Sequence, residues 1–339
     1  MSDRNGGKRR RVTLHDVARE AGVSIKTVSR VINEESVVGE ATRAGVQLAI
    51  DRLGYRPDEL ARGLRGSRSR TIGLIVADIS NPFSADLCKE VEEVARRRGY
   101  SVILCASAED SATENEYVEI LVQRRIDGLL LVPAPGDHDH LARESEKGLP
   151  MVALDRPVEG AETDTVLAES RPSARLATEH LVVHGHRRVA FIGDDEGIYT
   201  ARRRLAGYLD TMEGAGYSPL YRMGAGDIAS AAACTRELLS VQNPPTALFA
   251  GNSLITAGIL RALDESGIHP PHDMSLVGFE DTELLSSLRP RLTSVRQPSK
   301  EMGRRAAQLL FQRIDGEDLP LQHVSLPTEF IVNNSCGCA

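Results

Sequence analysis

The chain has 339 residues, of which 41% are hydrophobic and 26% charged, and its formal net charge is −7; this length predicts two or three domains, and this composition excludes extensive disorder. No apolar run approaches the roughly 20 residues that span a bilayer, and the N-terminal MSDRNGGKRRR lacks the apolar stretch of an export signal, so we expect a cytoplasmic protein with no membrane partner. Residues 1–70 carry 15 Lys and Arg against 9 Asp and Glu, whereas the remainder carries 26 against 39; a basic head on an acidic body is typical of a nucleic-acid-binding module joined to a body that does not bind nucleic acid.

Two short helices are predicted after a basic tail of residues 1–11. Thr13 and Asp16 form a Ser/Thr-x-x-acid signal, in which the hydroxyl caps free amides and the carboxylate suits the positive end of a helix. Gly22 permits a sharp turn, and Ser24 caps a second helix that runs to about Ile32. The apolar residues of the first helix share one face: Leu14, Val17, Ala18 and Ala21. Two short helices with this spacing predict a helix-turn-helix.

A third amphipathic helix is predicted from about Glu40 to Leu53, with Ala44, Leu48 and Leu53 facing inward. It completes a small three-helix core. Gly39 stands at its capping position, where glycine is a weaker cap than Ser.

The stretch TLHDVAREAGVSIKTVSRVIN, residues 13–33, resembles the DNA-binding head of the lactose/galactose repressor (LacI/GalR) family over about twenty positions without a gap. The resemblance implies that the second helix lies in the major groove of operator DNA. It implies base contacts from Ile25, Lys26 and Arg30, because Arg30 can offer a bidentate fork to guanine and Ile25 an apolar contact to a thymine methyl. It implies phosphate contacts from Thr13, Ser24, Thr27, Ser29 and Asn33. The alternative, a helical hairpin that only packs, does not explain why one helix brings together a set of exposed polar residues: Ser24, Lys26, Thr27, Ser29, Arg30 and Asn33.

Residues 55–71, YRPDELARGLRGSRSRT, taken alone read as a flexible connector, because Pro and Gly interrupt the helical pattern. The segment resembles the family's hinge, which folds as a short helix from about Asp58 to Leu64 when two subunits meet over bent DNA. Leu64 then matches the apolar wedge that enters the minor groove and kinks the duplex. The alternative for Leu64 is ordinary packing against the main domain. Further DNA contacts are implied for Tyr55, Arg62 and Arg65.

From residue 72 the pattern changes to short apolar runs: IGLIV at 72, SVILC at 101, GLLLV at 128, MVAL at 151, RVAFI at 188, TALFA at 246 and MSLVG at 274. Such runs between helical segments predict βαβ units with parallel sheets. Seven or more strands favour two doubly wound lobes, with a ligand in the cleft at the carboxyl ends of the strands. The resemblance continues in DISNPF at 78, RRRLAGY at 202 and RPRLTSVRQPSKEMGRRAAQLL at 289, and it implies a periplasmic-binding-protein-like fold.

The expected fold class is therefore α+α/β, with an N-terminal three-helix helix-turn-helix head, a hinge helix and a two-lobed periplasmic-binding-protein-like α/β domain. The expected boundaries place the tail at 1–11, the head at 12–57, the hinge and linker at 58–70 and the effector-binding and dimerisation domain at 71–335. By the family's pattern the first lobe takes about 71–168 and 299–326, and the second takes about 169–298 and 327–335.

The family's pattern implies a set of effector-binding residues: Asn81, Phe83, Ser84, Asp155, Tyr199, Thr200, Arg204, Asn252 and Glu280. Sugar sites combine apolar stacking with charged groups that bind adjacent hydroxyls. Arg204 is the favoured ligand contact, and its alternative is a surface ion pair. Glu169-Ser170, Ser253 and Glu280 depart from the residues usual in the family, so the ligand stays open between a sugar, a sugar phosphate, a purine-like effector and none. The absence of Trp argues against a large oligosaccharide.

The sequence carries no phosphate-loop, dinucleotide-binding, zinc-protease or nucleophile-elbow motif, so we expect no enzyme activity and no cofactor. Its five cysteines are odd in number and scattered, which suits reduced thiols. Cys336 and Cys338 have no His or further Cys near them in the sequence. Because zinc takes about four ligands, no metal site is expected.

Together these features predict a homodimeric repressor that binds a pseudo-palindromic operator and whose lobes change their relative angle on binding a small ligand. No heptad-bearing helix follows the last matched strand, which favours a dimer over a tetramer. One alternative is a ligand-insensitive or purine-responsive regulator of the same fold. The other is a sugar-binding or catalytic body whose basic head is incidental.

Overall fold

The structure, a computed structural model, describes residues 12–32, 37–55, 68–280 and 289–338. The chain divides into two compact units, Met1–Ser69 and Arg70–Ala339. The predicted basic tail, Asn33, and the hinge residues Arg62, Leu64 and Arg65 lie outside the described residues.

The described part of the first unit contains three helices: α1 (Leu14–Ala21), α2 (Ile25–Ile32) and α3 (Glu40–Leu53). Helix α1 begins with the predicted capping box, since the Thr13 hydroxyl accepts from the Asp16 N–H and the Asp16 carboxylate accepts from the Thr13 N–H at 2.9 Å. Gly22 ends α1 with a φ of 65°, which glycine adopts without strain. The Val23 N–H then donates to the Ala18 carbonyl at 3.1 Å, and the chain turns sharply into α2.

The core of the first unit is small and apolar, and Val17, Val28 and Val46 at its centre are fully buried. The predicted inner face of α3 is wrong in part, because Ala44 is exposed and Leu48 is 64% exposed. Helix α3 carries two apolar stripes, and the longer one, with members at i, i+3, i+4 and i+7, packs into the core. Its members are Val46, Ala49, Ile50 and Leu53.

The described part of the second unit contains two six-stranded sheets. Their strands in chain order are β1 (Thr71–Val76), β2 (Ser101–Ala106), β3 (Gly128–Leu131), β4 (Met151–Leu154), β5 (Asp164–Ala168), β6 (Val189–Ile192), β7 (Leu220–Arg222), β8 (Ala247–Ala250), β9 (Ser275–Phe279), β10 (Thr293–Arg296), β11 (His323–Leu326) and β12 (Glu329–Ile331). The first sheet has the order β11-β5-β4-β3-β1-β2 and is parallel throughout. The second has the order β12-β10-β9-β8-β6-β7, and β12 runs antiparallel to β10. The inner strands β3, β4, β6 and β8 are wholly buried, as parallel strands covered on both faces must be.

Helices cover the faces of both sheets: α4 (Pro82–Arg97), α5 (Ser111–Gln123), α6 (Asp139–Glu146), α7 (Ser170–Val183), α8 (Tyr199–Gly214), α9 (Ile228–Ser240), α10 (Ser253–Glu265) and α11 (Ser299–Ile314). Helix α11 packs on α4 and on strands β3 to β5, and α7 packs closely on α8. Gly207 permits the second contact, since a Cβ there would lie 2.3 Å from the Arg171 carbonyl oxygen. Within the described residues, no helix combines the length and apolarity that crossing a membrane requires.

Each sheet with its helices forms a lobe of the second unit, and neither lobe is continuous in sequence. The chain crosses between the lobes three times, between β5 and α7, between β10 and α11, and between β11 and β12. Two of the crossings touch: the Glu169 N–H donates to the Leu326 carbonyl at 3.1 Å, and the Ser173 and Thr328 hydroxyls are 2.5 Å apart.

Candidate functional site

A cavity of about 430 Å³ lies between the two lobes of the second unit. Its walls are formed by residues that follow β1, β2, β3 and β4 in the first lobe and β6, β7, β8 and β9 in the second. Ligands of doubly wound folds bind at this carboxyl edge of the strands. The cavity brings together eight of the nine residues predicted to bind an effector: Asn81, Phe83, Ser84, Asp155, Thr200, Arg204, Asn252 and Glu280. Tyr199, the first residue of α8, is not among the lining residues.

Arg204 extends from α8 into the wall of this cavity and is only 5% exposed. Its Nη1 donates to the Gly251 carbonyl at 2.7 Å and lies 3.6 Å from the Glu280 Oε1. Its guanidinium carbon lies 4.0 Å from the centroid of the Phe279 ring, a cation–π contact. The buried Nε has no hydrogen-bond partner among the described residues. Arg204 is therefore held in place by three contacts and keeps one buried donor for a ligand.

Glu280 faces Arg204 at the end of β9 and is buried. Its Oε2 accepts from the Ser253 Oγ at 2.9 Å and from the Ser253 N–H at 3.3 Å, and its Oε1 accepts from the Gln297 amide at 3.1 Å. Its φ of 75° is a strained value for a residue with a Cβ, and such strain often marks functional positions. Burial raises the pKa of Glu280, and the opposite charge of Arg204 works against this rise.

The first lobe contributes a second charged group. Arg156 donates from Nη1 and Nη2 to both carboxylate oxygens of Glu109, at 2.5 and 2.6 Å, and from Nη1 to the Pro133 carbonyl at 3.0 Å. Asp155 is buried beside it, with its Oδ2 3.8 Å from the Arg156 Nε. Burial raises the pKa of Asp155, while Arg156 and Arg204 favour its charged form. Among the described residues the Asp155 Oδ1 and the Arg156 Nε have no hydrogen-bond partner, so a polar ligand can satisfy both.

Two asparagines of the cavity are fixed as helix caps. The Asn81 Oδ1 accepts from the Phe83 N–H at 2.9 Å at the start of α4, and the Asn252 Oδ1 accepts from the Ile255 N–H at 2.8 Å at the start of α10. Asn252 also donates from Nδ2 to the Asp194 carboxylate at 3.1 Å. Capping therefore sets the orientation of both amides before any ligand binds.

Carboxylates outnumber cations in the cavity: Asp78, Glu109, Asp155, Asp194, Asp195 and Glu280 line it together with Arg156 and Arg204. Five of these residues were not predicted from the sequence: Asp78, Glu109, Arg156, Asp194 and Asp195. Asp194, Asp195 and Arg156 could have been predicted from their positions just after a strand. Asp194 and Asp195 follow β6, and Arg156 follows β4 beside Asp155. Glu109 reaches the cavity through a turn in which it and Ala108 both have positive φ, and no glycine marks that turn in the sequence.

The outer face of α2 in the first unit carries the side chains predicted to read DNA. Val28 and Val31 are buried in the core, which leaves Lys26 exposed and Ile25 39% exposed. Exposed on one face of a helix, these two side chains can reach base edges in a major groove. The neighbouring polar residues are partly or wholly exposed: Ser24, Thr27, Ser29 and Arg30.

Three of the predicted DNA contacts also have structural roles in the first unit. Thr13 caps α1, and the Ser24 Oγ caps α2 by accepting from the Thr27 N–H at 3.1 Å. Tyr55 is 8% exposed, and its ring packs in the core below α3. Substitutions at these positions will therefore alter stability as well as any contact with DNA.

Comparison with known proteins identifies relatives of both units. A family model for bacterial regulatory proteins of the lacI family matches residues 13–58, and one for a periplasmic binding protein-like domain matches residues 178–336. The ribose operon repressor of Escherichia coli is 36% identical over 320 residues, which are 93% of this chain and 96% of that protein. The transcriptional repressor PurR of Photobacterium profundum is 31% identical over 329 residues, 95% of this chain and 98% of that protein.

A solved structure matches almost the whole chain. The lac repressor dimer bound to operator and to the anti-inducer ONPF superposes with a TM-score of 0.86 at 28% identity, covering 96% of this chain and 99% of that one. The fold class and the family resemblance expected from the sequence are thus confirmed. The chain belongs to the lacI family of bacterial regulatory proteins, and it is a DNA-binding transcriptional regulator rather than an enzyme.

Proposed function

We propose that the protein is a repressor that binds a pseudo-palindromic operator as a homodimer, and that a small uncharged sugar in the cavity controls this binding. The observation that carries the proposal is the convergence of buried carboxylates and guanidiniums from two lobes on one cavity. The Escherichia coli relative is named for the ribose operon, and the lac repressor structure is a dimer on its operator. Because bacterial operators lie in the cytoplasm, we place the protein there.

The polar groups of the cavity suit neighbouring hydroxyls. The Asp155 Oδ1 can accept one ligand hydroxyl and the Arg204 Nε can donate to another, so the two residues can bind adjacent hydroxyls of one ligand. Phe83 supplies apolar surface against which a sugar ring can pack. A volume of about 430 Å³ lies toward the lower end of the range of about 300–1,000 Å³ for small-molecule sites, which favours a monosaccharide over an oligosaccharide.

The charge of the cavity disfavours a phosphate ester. Arg156 is already paired with Glu109, and Arg204 already faces Glu280. An added phosphate would meet a wall with more carboxylates than cations, in a setting where screening by water is weak. Of the two carbohydrate classes that the sequence left open, the uncharged sugar therefore fits better.

The head supplies the operator contacts. We assign base contacts to Ile25, Lys26 and Arg30 on the outer face of α2, with phosphate contacts from the polar residues around them. Outside the described residues, we assign Leu64 to the minor groove as a wedge, with Arg62 and Arg65 beside it.

Ligand binding in the cavity would change the relative angle of the two lobes. Asp155 and Arg156 belong to the first lobe, whereas Arg204 and Glu280 belong to the second, so one ligand bridges both. A ligand shifts a conformational equilibrium only by its difference in affinity for the two states. Contacts with both lobes supply that difference, and in a dimer the lobe angle decides whether the two hinges can form together.

Two experiments test the proposal. Isothermal titration of the full chain with D-ribose, D-glucose, D-ribose 5-phosphate and hypoxanthine identifies the ligand class, and we expect an uncharged monosaccharide to bind. Fluorescence anisotropy on an operator selected from a randomised DNA pool, with and without that sugar, then measures the coupling. Preferential binding of the phosphate ester would contradict the charge argument. Binding of hypoxanthine alone would support the purine-responsive alternative, and an operator affinity that no ligand changes would support the ligand-insensitive one.

A further inference from the structure

The last described residues bring a cysteine against two histidines of the second lobe. His180 and His184 lie one turn apart near the end of α7, with ring centroids 4.4 Å apart. The Cys338 Sγ lies 3.2 Å from the His180 Nε2. The ligand atoms of all three residues lie within 4.8 Å of one another. The sequence separates Cys338 from His180 by 158 positions, which is why spacing alone gave no sign of this cluster.

The segment that carries Cys338 is fixed to the second sheet. The Leu276 N–H donates to the Ser335 carbonyl at 2.8 Å, and the Ser335 N–H donates to the Arg291 carbonyl at 3.0 Å. The Ser275 hydroxyl donates to the Cys336 carbonyl at 2.8 Å. These bonds hold Cys338 beside α7 independently of any contact between its thiol and the histidines, so the cluster is preorganised.

His184 is also oriented as metal ligands usually are. The His184 Nδ1 donates to the His180 carbonyl at 2.7 Å, which leaves the His184 Nε2 available. Ligating histidines typically donate their second N–H to a carbonyl in this way. The His180 ring packs edge-on against Phe330, with centroids 5.1 Å apart, so its Nε2 stays directed at Cys338.

We propose that His180, His184 and Cys338 form a zinc site, with water as the fourth ligand. Zn–N bonds of about 2.0–2.1 Å and Zn–S bonds of about 2.3 Å in a tetrahedron place ligand atoms roughly 3.3–3.6 Å apart. The His180–Cys338 distance of 3.2 Å is close to that value. With all three ligand atoms already within 4.8 Å of one another, shifts of about 1 Å bring them to tetrahedral spacing. Two imidazoles and one thiolate suit zinc better than magnesium or calcium, which prefer oxygen ligands.

The alternative is a metal-free thiol that only hydrogen-bonds to an imidazole. The Cys338 thiol also donates to the Cys336 carbonyl at 3.3 Å, and the Cys336 Sγ accepts from the Thr293 hydroxyl at 3.2 Å. Titration with Co²⁺ distinguishes this alternative from a zinc site.

Titration of the metal-free full chain with Co²⁺ tests the site directly. We expect a single equivalent of Co²⁺ to produce the visible bands of tetrahedral cobalt and a near-ultraviolet sulfur-to-cobalt charge-transfer band, both abolished by excess Zn²⁺. Cys338→Ser should remove the charge-transfer band, and His184→Ala, at an exposed position, should weaken Co²⁺ and Zn²⁺ binding about 10- to 100-fold. Cys234→Ser is the matched control and should bind as the parent does, because Cys234 lies on α9 outside the cluster.

Thermal unfolding gives a second readout. Because zinc would tie α7 to the end of the chain, Zn²⁺ should raise the Tm of the parent and of Cys234→Ser but leave that of Cys338→Ser unchanged. The proposal is overturned if the parent gives no charge-transfer band, or if the band persists in Cys338→Ser. An equal Zn²⁺ response in the parent and both cluster variants would place the bound metal elsewhere and would equally overturn it.

Discussion

Replacement of Arg204 by alanine tests how the cavity is held together. The change removes the hydrogen bond to the Gly251 carbonyl, the 3.6 Å ion pair with Glu280 and the stacking on Phe279. It leaves Glu280 as a buried carboxylate whose nearest opposite charge has gone. Three hydrogen bonds from Ser253 and Gln297 remain to stabilise that carboxylate.

The expected loss of stability follows from these contacts. Removing one partner of a buried ion pair costs about 3–5 kcal/mol, because the other charge stays buried and uncompensated. The remaining hydrogen bonds to Glu280 place Arg204→Ala near the lower end, at about 3 kcal/mol. If the cavity binds the effector, the variant should also lose about 2–4 kcal/mol of ligand binding, while its operator affinity without ligand stays that of the parent.

Urea unfolding of the full chain measures the first effect, and calorimetric titration with the sugar measures the second. Arg203→Ala on the same helix is the control, since Arg203 does not line the cavity, and it should change stability by less than about 0.5 kcal/mol. A double-mutant cycle of Arg204→Met and Glu280→Gln measures the coupling of the pair. The double variant should lose about 1–3 kcal/mol less stability than the sum of the losses of the two single variants. Arg204→Ala behaving like Arg203→Ala in both assays would refute the assignment of Arg204 to the ligand and to the buried pair.

Further predictions concern packing, titration and DNA. Gly207→Ala should destabilise the second unit by more than about 2 kcal/mol, because its Cβ would collide with the backbone of α7. Gly214→Ala on the same helix is the control: its Cβ would meet nothing within 4 Å, so the change should be neutral or slightly stabilising. The urea midpoints of the two variants and the parent test this difference. Burial raises the pKa of Glu280, the nearby Asp155 adds to this rise, and Arg204 and Ser253 oppose it. The parent therefore loses a tightly held proton that Glu280→Gln lacks, so the unfolding free energy of Glu280→Gln relative to the parent should rise as pH increases above 4.5; a constant difference across the pH series contradicts this. Leu64→Ala should weaken binding to the selected operator by a few kcal/mol and reduce DNA bending in a circular-permutation assay, whereas unchanged affinity and bend would assign Leu64 to ordinary packing.

Local signals in the sequence predicted most of the fold. The capping box at Thr13 and the turn at Gly22 depend on residues within a few positions of one another, and both are present in the structure. Seven strands were visible as apolar runs because parallel strands covered on both faces are rich in Val, Ile and Leu. Strands β5 and β10 gave no such run, because they bury polar residues such as Asp164 and Thr293. The face of α3 was predicted incorrectly because its sequence has two apolar stripes, and only the packing of α1 selects between them.

The site was less predictable where the geometry depends on distant segments. The resemblance to the family predicted that Arg204 and Glu280 line the cavity. It did not predict that a carbonyl, a carboxylate and an aromatic ring together hold Arg204 in place. Glu109 was missed because a turn of two residues with positive φ delivers it to Arg156, 47 positions away. Contacts of this kind depend on how segments distant in sequence meet at one edge of a sheet, which no local pattern encodes.

The three crossings between the lobes also constrain how the chain can fold during synthesis. The first lobe obtains its last helix, α11, and its edge strand, β11, only from residues beyond 298, after the other strands of both sheets except β12 have been made. Until then β5 presents an open edge, and the surface that receives Met302, Ala306 and Phe311 of α11 is uncovered. The nascent chain therefore passes through a long interval with an unfinished first lobe, in which chaperone binding or aggregation competes with folding. A truncation before α11 should accumulate as insoluble protein even though it contains every residue that lines the cavity.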